Sequence, residues 1–230
     1  CGQVQKVGAL FPQFRGFKTV IGPAFGRNLD TVACVQCGQC AAVCPVGAIT
    51  EKSYIDEVWA AIDDPAKTVV VQTAPAVRAA LGECFGLPAG TLVTGKMVSA
   101  LRRIGFDKVF DTNFTADLTI IEEGTELLTR LKKAVQEKKP AALPQFTSCS
   151  PGWIRYVEYF HPDFIPNLST CKSPQQMFGA VAKTYWAQKA GKKPEEVFVV
   201  SIMPCTAKKS EAQRPEMNDS GVQDVDAVLT

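Results

Sequence analysis

VVVQTA, residues 69–74, reads as a buried strand, and the segments on either side of it set the fold. VRAALGECF (77–85) continues as a helical stretch. Thr94 is positioned to cap the next helix, GKMVSALRRIGF (95–106), whose apolar residues recur at helical spacing. DKVFDTNF (107–114) predicts a second strand, and TADLTIIEEGTELLTRLKKAVQEKK (115–139) has the length and pattern of a helix. AALPQFTSC (141–149) reads as a strand running into a loop, EEVFVVSIMPC (195–205) repeats that design, and DAVLT (226–230) resembles a further strand. Such alternation predicts an α/β domain with a mainly parallel sheet. Ligand sites in these sheets lie beyond the carboxyl ends of the strands. Ala74-Pro75, Cys149 and Cys205 all fall at predicted strand ends, which points to one site.

Upstream the texture changes. Residues 56–66 look helical, with Pro65 closing the segment, whereas residues 1–55 are rich in Cys, Gly and Pro and lack long periodic patterns. The chain therefore divides into a small unit, 1–55, and an α/β unit, 56–230. Apolar residues make up 46% of the 230, enough for a proper core. No apolar run is long enough to cross a bilayer, and no secretory signal opens the sequence. A net charge of +2 suggests neither nucleic acid nor an acidic membrane as partner. The single histidine, His161, precedes Pro162 in a predicted loop and is a poor candidate for catalysis. GLPAGTLVTGK lacks the spacing of a phosphate-binding loop.

The nine cysteines are informative through their clustering. Cys34, Cys37, Cys40 and Cys44-Pro45 have the C-x2-C-x2-C-x3-C-P spacing of the bacterial ferredoxin run for a 4Fe–4S cluster. Zinc sites usually pair two distant C-x2-C units, and this arrangement does not fit. Metal in a reducing, cytoplasmic compartment is the better reading than disulfides. In two-cluster ferredoxins the fourth Cys of a run serves the other cluster. Cys1, read as the last Cys of a preceding run, then completes the cluster of Cys34, Cys37 and Cys40 and leaves Cys44 to another. A chain that begins in mid-motif is expected to be a fragment.

TSCSPGW (147–153) and MPCTAKKSE (203–211) resemble the first two of three signature segments of FeFe (iron–iron) hydrogenases. TAPAVRA (73–79), residues 93–114, IIEEGTELLTR (120–130) and KSPQQMFG (172–179) extend the resemblance over essentially the whole chain. It implies a ferredoxin-like 4Fe–4S segment followed by the first part of a hydrogenase catalytic domain. The implied cofactors are 4Fe–4S clusters and the H-cluster, a cubane joined to a diiron unit carrying CO and cyanide. The implied activity interconverts dihydrogen with protons and electrons, with ferredoxin or another redox subunit as electron partner.

By position the resemblance makes Cys205 a cubane ligand, packs Met203 beside the diiron unit and has Lys208 bond a cyanide. Ala74, Pro75, Pro174 and Gln175 line the same pocket, while Glu123, Glu126, Ser169 and Arg130 form the proton path. Glu122 reads instead as a solvated helix residue, and Cys84 as a small buried apolar one. The usual Cys-Cys pair is Cys149-Ser150 here. Cys149 takes the place of the relay thiol and Ser150 that of a cubane ligand. Three readings stay open: Ser150 ligates as an alkoxide, Cys149 takes over as ligand, or Cys171 substitutes for one of them. The third signature, with two more Cys ligands, is absent, so an incomplete H-cluster site is expected. Ser150 also keeps open a rival reading, a hydrogenase-like iron–sulfur assembly or sensor protein without normal diiron turnover.

Overall fold

The computed structural model describes residues 1–230. The N-terminal unit is built from a two-stranded antiparallel hairpin, β1 (Phe11–Gln13) and β2 (Val20–Gly22), and one helical turn, α1 (Gln39–Ala42). The remaining elements are α2 (Ile55–Asp63), β3 (Thr68–Thr73), α3 (Pro75–Cys84), α4 (Thr94–Ile104), β4 (Lys108–Asp111), α5 (Asn113–Leu131), α6 (Pro151–Phe160), α7 (Pro174–Val181), α8 (Ala187–Lys189), β5 (Val197–Ile202), α9 (Ala207–Ala212) and β6 (Ala227–Leu229). A π-helical turn, Lys132–Gln136, follows α5, and another, Ala182–Trp186, joins α7 to α8.

β3, β4, β5 and β6 form one parallel sheet in the order β4-β3-β5-β6. β3 and β5 are central, and their valines alternate between two cores. Val70 and Val199 pack against Phe178 and Ala182 on one face. Val69, Val71 and Val200 pack against Val58, Met97 and Leu101 on the other, so α2 and α4 cover that side. Each fully buried valine contributes about 1.5–3 kcal/mol of transfer free energy. Gln72 is the polar exception in β3. Its amide donates to Ser201 Oγ (2.7 Å) and to the Gln175 carbonyl (3.0 Å), and accepts from Thr112 Oγ1 (3.0 Å). This satisfied network ties three strand ends to the start of α7.

The expected strand at 141–149 does not form. Phe146 makes only an isolated bridge to Leu168, and Pro144 has no N–H to give a ladder. Cys149 therefore leads into α6 rather than lying at a sheet edge. Thr94 lies inside α4 and does not cap it: Val93 holds the cap position without a side-chain bond. α4 stops at Ile104 because Gly105 takes φ 122°, and α5 starts two residues earlier than expected. Cys84 is exposed, not buried.

Gly179 on α7 gives a direct check of this packing. A Cβ there would lie 2.6 Å from the Asp224 carbonyl oxygen and 2.7 Å from its carbon, both backbone atoms. Gly179→Ala should therefore cost about 1–3 kcal/mol through overpacking, read as a lower urea midpoint at unchanged slope. An unchanged midpoint would show that the segment around Asp224 yields freely.

Candidate active site and cluster cavity

Because the sheet is parallel, Ala74-Pro75, Thr112 and Met203-Pro204-Cys205 emerge along one edge. The ladder continues past the strands there: Ala74 N donates to the Ile202 carbonyl (3.0 Å), Met203 N to that of Leu229 (2.8 Å) and Thr112 N to that of Thr73 (3.2 Å). Met203 and Ala74 are buried in the same apolar cluster. Pro75 opens α3 and Pro174 opens α7, each in the first turn, where a missing N–H costs nothing.

Lys208 lies on α9, 7% exposed, with its Nζ 2.9 Å from Glu211 Oε2. The same carboxylate accepts from Gln175 Nε2 (3.1 Å), while Gln175 Oε1 is buried without a partner. Glu211 was not among the candidates read from sequence. Its signal was the K-x-x-E spacing, which places both side chains on one helix face. An ammonium carries three donor hydrogens, and Glu211 is the one acceptor the chain gives Lys208. The unused donors on Lys208 suit a group that carries anionic ligands, whereas the orphaned Gln175 oxygen can only accept.

On α5, Glu126 and Arg130 stand one turn apart and form an ion pair at 2.6 Å. Arg130 is anchored by the carbonyls of Leu168 (2.8 Å) and Ala142 (3.0 Å). Ser169 Oγ donates to the other Glu126 oxygen at 2.7 Å, and Thr170 N reaches the same oxygen at 3.1 Å. Burial pushes the Glu126 carboxyl up, but Ser169, Arg130 and Thr170 outweigh it and hold it below the usual range. Burial, then the neighbouring Glu126 charge, raises Glu123. Glu122 is exposed. Two adjacent acids are thus driven apart in proton affinity, the arrangement that assigns different roles to paired carboxyls. Glu123 and Ser169 line a cavity of about 240 Å³, shared with Ser148, Cys171 and Glu211.

A pH test follows from Glu126. A lowered folded-state value stabilises the fold above the unfolded value, about 4.3, and the gain is lost as pH falls through the folded value. The parent should therefore be more stable than Glu126→Gln at neutral pH, and the gap should close in acid. A gap independent of pH would mean that packing, not charge, is responsible.

The N-terminal cysteines divide. Cys1, Cys34, Cys37 and Cys40 line one cavity of about 450 Å³, within the ~300–1,000 Å³ range of cofactor pockets. Cys44 is not in that lining. Backbone N–H groups, those of Ile49 and Val46 foremost, lower the pKa of its thiol. No three His, Cys, Asp or Glu side chains converge closely enough for a single ion, whereas a cubane holds its thiolates farther apart. Cys34 and its neighbours dock on the α/β unit: Arg155 Nε donates to the Cys34 carbonyl (3.0 Å) and Thr206 Oγ1 to that of Gln36 (3.1 Å). Gly38 (φ 72°) lies so close that a Cβ there would clash with Thr206 Oγ1. Cys205 therefore sits one residue from the cluster segment.

Ser150 is the residue preceding α6, with extended backbone (φ −92°, ψ 111°), and its N–H donates to Ser148 Oγ (3.0 Å). Cys149 is exposed and Cys205 partly buried. Neither of the two cavities described is lined by Cys149, Ser150 or Cys205. Cys171 joins the acid cavity, where burial raises its thiol.

Comparison with known proteins adds independent findings. The model of the iron only hydrogenase large subunit, C-terminal domain, matches residues 67–230, and that of the 4Fe-4S binding domain matches residues 28–50. The chain is 56% identical over its full length to the NADP-reducing hydrogenase subunit HndD of Solidesulfovibrio fructosivorans and 46% identical to iron hydrogenase 1 of Clostridium pasteurianum. It spans 39% of each of those two proteins. A periplasmic Fe hydrogenase large subunit of Nitratidesulfovibrio vulgaris is 51% identical over 88% of the chain, which spans 55% of it, so the relatives are not confined to the cytoplasm. No helix is long and apolar enough to cross a membrane. A cytosolic Fe-S cluster assembly factor of Danio rerio is 40% identical over 71% of the chain, which spans 40% of it. Among solved structures, an apo FeFe-hydrogenase from Chlamydomonas reinhardtii superposes with TM-score 0.72 at 47% identity, covering 78% of this chain and 45% of that one.

Proposed function

Because the chain belongs to the iron-only hydrogenase large-subunit family, we propose that its residues form part of an FeFe hydrogenase that interconverts dihydrogen with protons and electrons. The observation that carries this reading is the Ser169–Glu126 hydrogen bond beside the raised Glu123 carboxyl. A sensor or assembly protein has no need of a tuned proton path.

In this reading residues 1–55 are a partial ferredoxin-like unit and residues 56–230 the first part of the H-cluster domain. α2 supports the boundary, since Val58 and Ala61 pack into the core beneath the sheet. Cys1, Cys34, Cys37 and Cys40 hold one 4Fe–4S cluster, and Cys44 serves a second. Cys205, with Ser150, holds part of the H-cluster cubane. Lys208 donates to a cyanide, and Met203, Ala74, Pro75, Pro174 and Gln175 enclose the pocket. The diiron unit, when bound, supplies the metals at which dihydrogen is made or cleaved.

The chain's own work is to deliver protons. Arg130 holds the Glu126 carboxylate at the outer end, and Ser169 accepts a proton at Oγ as it donates its own onward. Glu123, with its higher proton affinity, stores that proton inside the cavity, and Cys149 completes the relay. Electrons arrive from ferredoxin or another redox subunit and pass the contact of Gly38 and Gln36 with Thr206, next to Cys205.

Ser150 and the assembly-factor relatives favour a second reading, a cluster-bearing protein without turnover. Hydrogen evolution from dithionite-reduced viologen by the matured full-length protein is the test. Turnover supports the hydrogenase reading, and its absence in cubane-loaded protein supports the second.

A further inference from the structure

Glu51, Lys52 and Lys209 are the charged side chains that line the cavity of Cys1, Cys34, Cys37 and Cys40. Lys209 lies next to Lys208 on α9 but points the other way. Its Nζ sits 3.0 Å from Glu51 Oε2, donates to the Lys52 carbonyl at 2.6 Å and lies 5.8 Å from the centre of the Tyr54 ring. Lys52 Nζ stands over the same ring at 4.2 Å. The two members of the ion pair differ in hydration. The Lys209 side chain is only 11% exposed, whereas that of Glu51 is 42% exposed. Water screens the anion far more than the cation, so the pair leaves a net positive field on the cavity side. Glu51 stays ionised at neutral pH, since the Thr230 hydroxyl and then Lys209 hold its carboxyl below the usual range.

We propose that the buried Lys209 ammonium, balanced by Glu51, sets the reduction potential of the 4Fe–4S cluster next to the catalytic domain. The inference rests on the ligand set proposed above. Reduction adds one electron, delivered by the redox partner or by dithionite, and one unit of negative charge to a group already anionic through its four thiolates. No bond forms or breaks. A dry cation on the cavity wall favours the reduced form, and a carboxylate there opposes it. Lys209 is thus a positioning residue that touches no reacting atom. Docking alone gives no reason for a buried ammonium, because Thr206–Gln36 and Arg155–Cys34 already hold the cluster segment on the α/β unit.

Potentiometric titration of the full-length holoprotein, followed by electron paramagnetic resonance, reads the effect. The relevant cluster is identified as the signal lost in Cys34→Ala. Lys209→Met should move that potential negative, by up to about a tenfold change in the reduced-to-oxidised ratio, or about 59 mV for one electron. Glu51→Gln should move it positive, and Lys209→Arg should stay close to the parent. Opposite signs are the signature of charge. Shifts of the same sign in Lys209→Met and Glu51→Gln would point to loosened docking and overturn the proposal, as would equal potentials in all four proteins. If Cys34→Ala removes no signal, the ligand set itself fails and this inference fails with it.

Discussion

Replacing Glu126 by glutamine in the full-length protein should leave its clusters assembled and slow hydrogen turnover by about 10²–10⁴-fold. The amide keeps the size of the side chain, and its one oxygen can still accept from Arg130, while the NH2 in the other position can only donate and so reverses the Ser169 contact. What it loses is the ability to take up and release a proton at neutral pH. Glu123→Gln should cost at least as much, because Glu123 faces the cavity and has the higher proton affinity of the two. Glu122→Gln, on the exposed side of α5, should be neutral and serves as the control. Near-parent turnover in Glu126→Gln, with iron content unchanged, would reject the path.

The second large effect concerns the residues just before α6. Cys149→Ala should slow proton transfer by about 10²-fold or more while the cubane persists. Ser150→Cys should raise cubane retention, since a thiolate is a softer and more readily ionised iron ligand than a hydroxyl. The backbone enforces this difference between neighbours. Ser150 is extended, whereas Cys149 lies in the bend just before it, so the two neighbours present their side chains from different backbone geometries. Pro151 is buried at the start of α6, so exchanging the two roles would mean unwinding that end of the helix. Should Cys149→Ala abolish the cubane instead, Cys149 is the ligand and the assignment by position is wrong.

The parallel sheet was legible because β3 and β5 are continuous valine-rich runs, the pattern of strands buried on both faces. α5 was legible from its length. The segment 141–149 misled because its apolar residues resemble a strand, while what they pack against lies far away in sequence: Phe146 bridges Leu168 and stacks edge-on to Phe164. Thr94 looked like a cap, but a threonine serves equally inside a helix, and only the backbone at Val93 decides where the helix begins. In the site, motif residues were readable as types at fixed spacing. Their partners were less so: Thr206 and Lys209 acquire meaning only when the N-terminal segment folds back onto α9, and Gln175 meets Glu211 only when α7 packs beside α9. Cys84 shows the same limit, since a helix's wet face depends on what covers it.

In the proposed reading these residues build the site of a diiron catalyst and not merely of cubanes. Infrared spectroscopy of the matured full-length protein tests it most directly, because iron-bound CO and cyanide absorb where proteins do not. Both sets of bands are expected, with the cyanide bands shifted in Lys208→Met, where the donor from α9 is lost. A protein that retains its 4Fe–4S clusters yet shows neither CO nor cyanide bands would contradict it.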